Sequence, residues 1–156
     1  MNNPLPAQSL DPAKVEFARI TQQFFGMLDS VNLCHFVWGV SWPLYGPEQA
    51  AAMVKAVTGW DVTLQELLEV GERRVNMMRA FNAREGIARD QDKLPAKFFD
   101  RPLKGGPSDG VKVDKAQFEA ALQEYYHQCG WDESSGIPKR ETLERLGRSE
   151  ERRVGK

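Results

Sequence analysis

The chain has 156 residues, 41% of them hydrophobic and 28% charged, enough for one soluble globular domain around a single core. A formal charge of −1 and a pI near 6.2 give no electrostatic reason to expect a nucleic-acid partner, and no apolar run reaches the ~20 residues that span a bilayer. Residues 1–10 lack the basic start and apolar middle of a secretory signal, and Cys34 and Cys129, far apart in sequence, read as two independent thiols of a reducing, cytoplasmic setting.

Residues 1–10, polar and proline-containing, are expected to form a flexible N-terminal segment. A first helix then opens at Asp11, whose side chain can accept an orphan backbone N–H, with Pro12 where proline costs no hydrogen bond. Val15, Ala18, Ile20, Phe24, Phe25 and Leu28 recur at helical spacing as its apolar face, with Gln22 and Gln23 on the polar side. Asp29 and Cys34 are too far out of phase to share one helical face, so the spacing predicts a helix ending near Ser30 that presents both groups from its exit loop. A ligand is expected there.

After Cys34, residues 36–47 interleave aromatics with Gly39, Gly46, Pro43 and Pro47, which preclude a long regular element. The expectation is a packed loop whose aromatics fill core, a stacking site for bases or sugars being the alternative. Pro47 starts a second helix, running to about Val57 and closed by Gly59. Thr63-Leu64-Gln65-Glu66 has capping-box form and opens a third, whose stripe of Leu64, Leu67, Leu68, Val75, Met78 and Phe81 continues to around Glu85 before Gly86 ends it.

Charges of both signs between Glu72 and Glu85 read as a solvated or salt-bridged face, with a phosphate grip by Arg79 or Arg84 as the alternative. Residues 90–110 carry turn chemistry and little periodicity; Gly105-Gly106 lacks the Gly-Lys-Ser/Thr that would make it a nucleotide loop. Asp114 caps a fourth helix, with Gln117 reaching back and Phe118, Ala121, Leu122, Tyr125 and Tyr126 as its buried stripe up to Gly130. His127 and Cys129 near its end are too few for a metal site and read as structural. A last helix, residues 138–146, stops at Gly147. The tail, residues 148–156, has no apolar period and looks like translated sequencing adapter, so it is set aside as non-native; without it 17 basic residues face 20 acidic ones, a charge of −3.

The fold class is therefore all-α, an irregular helical domain with long loops over residues 11–147. Its blocks resemble the C-terminal helical portion of the tungsten-containing aldehyde ferredoxin oxidoreductase family. The resemblance is carried by Asp29-Ser30-Val31-Asn32-Leu33-Cys34-His35-Phe36, Thr58-Gly59-Trp60-Asp61-Val62-Thr63, Gly71-Glu72-Arg73, Arg79-Ala80-Phe81-Asn82-Ala83-Arg84-Glu85-Gly86, Asp92-Lys93-Leu94-Pro95, and Tyr125-Tyr126-His127-Gln128-Cys129-Gly130-Trp131-Asp132 followed by Gly136-Ile137-Pro138. Several ordered blocks are more specific than any one.

The resemblance implies that Cys34 is the last of four thiolate ligands to a [4Fe–4S] cluster, and that Asp29 with the Leu33 backbone holds a pterin of a tungsten bis-pterin cofactor. The chemistry is apt: a carboxylate can accept two parallel N–H bonds from an aminopyrimidinone edge, and thiolate is the usual iron ligand. It also implies an enzyme that oxidises aldehydes to carboxylic acids with ferredoxin as electron acceptor. A relative acting on aromatic acyl-CoA and a cofactor-free helical interaction module are the alternatives. Asn32 stands where the family commonly has glycine, and Lys97 where arginine is usual after Asp92-Lys93-Leu94-Pro95; asparagine is the next most tolerant residue of a left-handed bend. Three further thiolates, the pterin-binding sheet domain and the acid/base residues are all expected upstream of Met1, in a longer protein of possible homo-oligomeric form. No catalytic role is given to His35 or His127, and faces left for the other domains should carry exposed apolar surface.

Overall fold

The computed structural model describes residues 5–39 and 45–147. Its helices run in the order α1 (Pro12–Ser30), α2 (His35–Trp38), α3 (Pro47–Thr58), α4 (Leu64–Arg84), α5 (Lys97–Asp100), α6 (Lys115–Cys129) and α7 (Arg140–Arg145), with single 3-10 turns at Arg89–Gln91 and Gly106–Ser108. The class is all-α, as expected; the one β feature among the described residues is an isolated antiparallel bridge between Trp131 and Pro138. None of the described helices is long and apolar enough to cross a membrane.

Local chemistry sets most of the boundaries. Asp11 caps α1 by accepting the Lys14 N–H at 2.9 Å, and Pro12 follows where its missing donor costs nothing. Thr63 and Glu66 close the capping box at α4, the Glu66 N–H donating to Thr63 Oγ1 at 3.2 Å and the Thr63 N–H to Glu66 Oε2 at 2.8 Å. Asp114 accepts the Gln117 N–H at 2.8 Å to start α6. Gly59 and Gly130, both left-handed, stop α3 and α6.

The backbone contact between α1 and α4 organises the packing. A methyl group on Gly71 would lie 1.8 Å from Gln23 O, and one on Gly26 would lie 3.1 Å from Gly71 O, so the two helices touch through their main chains. Around this crossing Phe24, Met27, Leu28, Trp38, Ala50, Ala51, Val54 and Leu67 form one cluster, with Met27 and Leu28 wholly buried. A second cluster of Tyr126, Cys129 and Trp131 packs with Val75, Leu122 and Tyr125 farther along α4. Thus α4 belongs to both.

Several expectations change. Gln23 lies inside with the α1 core and Ile20 is 40% exposed, because the Gly26–Gly71 contact rotates α1 toward its glycine side. On α4 the stripe turns over: Asn76, Arg79 and Ala80 are buried, while Met78 and Phe81 are 50% and 54% exposed. Burial of the two polar residues is tolerated because both are partnered. Asn76 accepts the Trp131 indole N–H at 2.8 Å and donates to Glu72 O at 3.0 Å. The loop after Cys34 begins with a helical turn, α2, and of its described aromatics Trp38 fills core while Phe36 and Tyr45 are exposed, Tyr45 stacking on Trp38 with ring centroids 4.9 Å apart. Residues 90–110 contain α5 and the two short turns, and the last helix starts at Arg140 because Pro138 is engaged in the bridge to Trp131. Residues 40–44 of the aromatic loop and the tail, 148–156, lie outside the described residues.

Candidate functional site

The exit of α1 is a closed turn. Asn32 has φ 57°, the one non-glycine residue with positive φ among the described residues. Its N–H points to Asp29 O at 3.4 Å, and the Leu33 N–H donates to Leu28 O at 2.9 Å. This is the Schellman pattern, in which a left-handed residue lets the chain turn back and satisfy the last helical carbonyls. Leu33 packs on the cluster containing Leu28, which supplies the hydrophobic contact usual in that motif. The next residue, Cys34, starts α2 and accepts from Val37 and Trp38 through its carbonyl. Main-chain hydrogen bonds therefore run continuously from the helix end through the turn into α2, with Asp29 before the turn and Cys34 after it.

Asp29 sits in the last turn of a 19-residue helix that has no basic residue in that turn. A carboxylate at the negative end of a helix loses about 0.3–1 kcal/mol to the macrodipole. Compensation comes from other elements: Arg74 Nη2 of α4 lies 2.8 Å from Asp29 Oδ2, and His35 Nε2 of α2 lies 2.8 Å from Asp29 Oδ1. Both are ion-pair distances, and neither meets hydrogen-bond alignment; the His35 nitrogen is buried with no aligned acceptor. The imidazole packs on Phe25, ring centroids 4.7 Å apart, and Gly39 leaves room for that ring, a methyl group there lying 2.9 Å from Phe25 Cε1 and 2.3 Å from the main-chain His35 O.

These observations bear on whether the expected groups fit. The Asp29 side chain is 38% exposed, its acceptor lone pairs uncommitted to aligned donors among the described residues, and a carboxylate offers about four such sites. Leu33 spends its N–H on Leu28, so the backbone group it can offer a ligand is its carbonyl. Cys34 is a free, exposed thiol. One side of a pterin pocket and one ligand of an iron cluster fit here. No group of three or more His, Cys, Asp or Glu that could hold a metal ion occurs among the described residues, so a cluster would draw its other thiolates from elsewhere.

The other candidates separate from this site. Arg79 is 8% exposed, its fork spent on Asp92 at 3.0 and 2.5 Å and its Nε on Gly136 O at 2.6 Å. It also lies within cation–π range of the Tyr126 and Trp131 rings, 5.7 and 5.1 Å from their centroids, and with its donors spent the phosphate alternative falls away. Arg84 is exposed and pairs with Glu85 at 3.0 Å. Cys129 is buried, which pushes its thiol up to about 11, and is unbridged. His127 pairs with Glu133 at 3.0 Å at the surface. The sequence reading missed Arg74 and His35 as partners of Asp29. His35 stands in the quoted block from Asp29 to Phe36 and Arg74 directly follows Gly71-Glu72-Arg73, but nothing in their spacing reveals a contact between helices.

A groove of about 1000 Å³ opens between α1, α4 and α6, with Phe17, Phe25, Val75, Met78 and Leu122 among its walls and Arg74 at its edge.

Residues 1–147 match the family model described as aldehyde ferredoxin oxidoreductase, domains 2 and 3. The tungsten-containing aldehyde ferredoxin oxidoreductase of Pyrococcus furiosus is 36% identical over 140 residues, covering 88% of this chain and 22% of that protein. Its counterpart in Thermococcus kodakarensis is 33% identical over 139 residues, with the same coverage of 88% and 22%. The aliphatic sulfonate oxidoreductase WOR-like subunit of Pyrococcus furiosus is 32% identical over 148 residues, covering 91% of this chain and 22% of that one. Among solved structures, the active-site complex BamBC of benzoyl coenzyme A reductase, in complex with 1,5-dienoyl-CoA, superposes with a TM-score of 0.72 at 21% identity. It covers 96% of this chain and 22% of that one, and at this identity the likeness is one of fold. The chain thus spans about a fifth of the length of the relatives it matches.

Proposed function

The chain belongs to the aldehyde ferredoxin oxidoreductase family, and on that premise we propose that it is the C-terminal helical part of a tungsten-pterin, iron–sulfur enzyme that oxidises aldehydes to carboxylic acids. The reaction adds the oxygen of water to the aldehyde carbon and releases two electrons and two protons, the electrons passing to ferredoxin. The tungsten bis-pterin, when bound, supplies the two-electron chemistry.

The single observation that carries this reading is the turn from Asp29 to Cys34. Asp29 would receive the N–H edge of a pterin, Leu33 would offer it a carbonyl, and Cys34 would ligate a [4Fe–4S] cluster as thiolate. Because the turn is closed by its own hydrogen bonds, the two groups would be held side by side, a short path for electrons leaving the tungsten. The remaining thiolates, the aldehyde pocket and the proton-handling residues would belong to other parts of a longer polypeptide.

The test uses the full-length protein. Cys34→Ala is expected to lower iron content to near zero, and unchanged cluster occupancy would refute the ligand assignment. A substrate panel under a redox dye separates the readings: turnover with simple aldehydes is expected. Reduction of aromatic acyl-CoA instead would favour the second reading, to which the fold likeness to benzoyl coenzyme A reductase lends support. A full-length protein holding neither iron nor tungsten would mark a cofactor-free module.

A further inference from the structure

We propose that Arg74, assisted by His35, is a positioning residue that aims the Asp29 carboxylate at a neutral ligand edge carrying two adjacent N–H donors. The inference rests on the reading of Asp29 as a pterin contact and extends it to residues on two other elements.

Three features support it. Arg74 stands three residues after Gly71 on α4, one turn from the point where the α1 and α4 backbones touch, so its base cannot shift relative to Asp29 without opening the crossing. Its guanidinium lies 2.8 Å from one carboxylate oxygen while His35 Nε2 lies 2.8 Å from the other, so a nitrogen stands beside each oxygen and the electrostatic attraction favours this orientation of the carboxylate. Arg74 is 36% and Asp29 38% exposed, so the pair borders accessible space rather than closing on itself.

Charge decides what such a site accepts. Asp29 already has Arg74 as counter-ion, so a cationic ligand would meet a balanced pair and gain little. A neutral heterocycle gains hydrogen bonds to oxygens that no described residue uses with proper alignment. Arginine suits the supporting role because it stays charged and its planar fork holds a carboxylate in a fixed plane.

The experiment compares Asp29→Asn, Arg74→Met, Arg74→Lys and the double variant Asp29→Asn/Arg74→Met in the full-length holoenzyme. Pterin is quantified by fluorescence after acid oxidation, iron is measured separately, and the melting temperature is recorded. Outer contacts of this kind change affinity about 10–100-fold. Arg74→Met should therefore lower pterin about tenfold relative to iron, Arg74→Lys should recover much of it, and the double variant should lose no more than Asp29→Asn alone. Wild-type pterin in Arg74→Met beside loss in Asp29→Asn would overturn the positioning role and leave the Asp29 reading standing. Retention in both would overturn that reading itself. Parallel loss of pterin, iron and melting temperature in Arg74→Met would mark the arginine as structural and also overturn the proposal. Should Arg74→Met not accumulate, Arg74→Gln, which keeps the length and a polar head, is judged by the same criteria.

Discussion

Asn32 holds a conformation that an ordinary side chain adopts only at a cost of about 1–2 kcal/mol. At φ 57° it lets the Leu33 N–H return to Leu28 O, and so closes the turn that joins Asp29 to Cys34. Asn32→Gly should leave stability nearly unchanged, since glycine enters this region freely, though it adds some entropy to the unfolded chain. Asn32→Val should lower stability by about 1–2 kcal/mol or more, because a β-branched side chain crowds the left-handed region. Urea denaturation midpoints of the three proteins check this order, and an Asn32→Val protein as stable as its parent would mean that the turn is not closed as described. The tolerance of asparagine for this backbone was legible from residue type alone. The partners of Asp29 were not: Arg74 and His35 reach it from α4 and α2, and an ion pair between helices leaves no period in a sequence.

At the scale of elements, Gly71 carries the crossing of α1 and α4. Alanine would gain about 1 kcal/mol of helix propensity over glycine. Its methyl group would sit 1.8 Å from Gln23 O and 2.9 Å from Met27 N, main-chain atoms that cannot move aside cheaply. Forced overpacking costs about 1–3 kcal/mol, occasionally more, so the clash outweighs the propensity. Gly71→Ala should destabilise, and Gly26→Ala, whose tightest contact is 3.1 Å, should cost less. Comparison of the two by thermal and urea melts tests the ranking. Helix ends were readable because they follow local rules: Asp11, Thr63, Asp114, Gly59 and Gly130 act as caps where the chemistry of each residue says they should. Helix faces were less so. Met78 and Phe81 suited a buried stripe as well as Asn76 and Arg79 suited an exposed one, and the choice fell to partners distant in sequence, Trp131 and Asp92.

For the molecule as a whole, Asp92 ties four segments together: Arg79 of α4, Tyr126 of α6, the loop before α5 and, through Arg79, the turn at Gly136. Partial burial alone would raise its carboxyl, and that is the largest single influence. Hydrogen bonds from Arg79 and Tyr126, with the charges of Arg79 and Arg89, outweigh it and hold the group below the ordinary 3.8. The folded value is lower than the unfolded one, so the stabilisation is complete above pH 3.8 and drains away as pH falls below it. Asp92→Asn should cost about 3 kcal/mol at neutral pH, as expected for a largely buried charge stripped of its partner. It should also flatten the loss of stability on acidification. Urea titrations from pH 7 down to about pH 2 measure both, and an unchanged acid slope would remove Asp92 from the account. Some slope should remain in any case, because Asp132, held near 2 by the hydroxyls of Ser134 and Ser135, drains over the same range.

Because α4 is shared by the two hydrophobic clusters but each has its own buried members, loss of packing in one leaves the contacts of the other in place. When the layer of Tyr126 and Trp131 loosens, the Gly26–Gly71 contact and the wholly buried Met27 and Leu28 still hold α1 against α4. The exit turn is built on that more enclosed half. The turn from Asp29 to Cys34 is thus the part of the domain least exposed to a loosening of the layer around Tyr126 and Trp131.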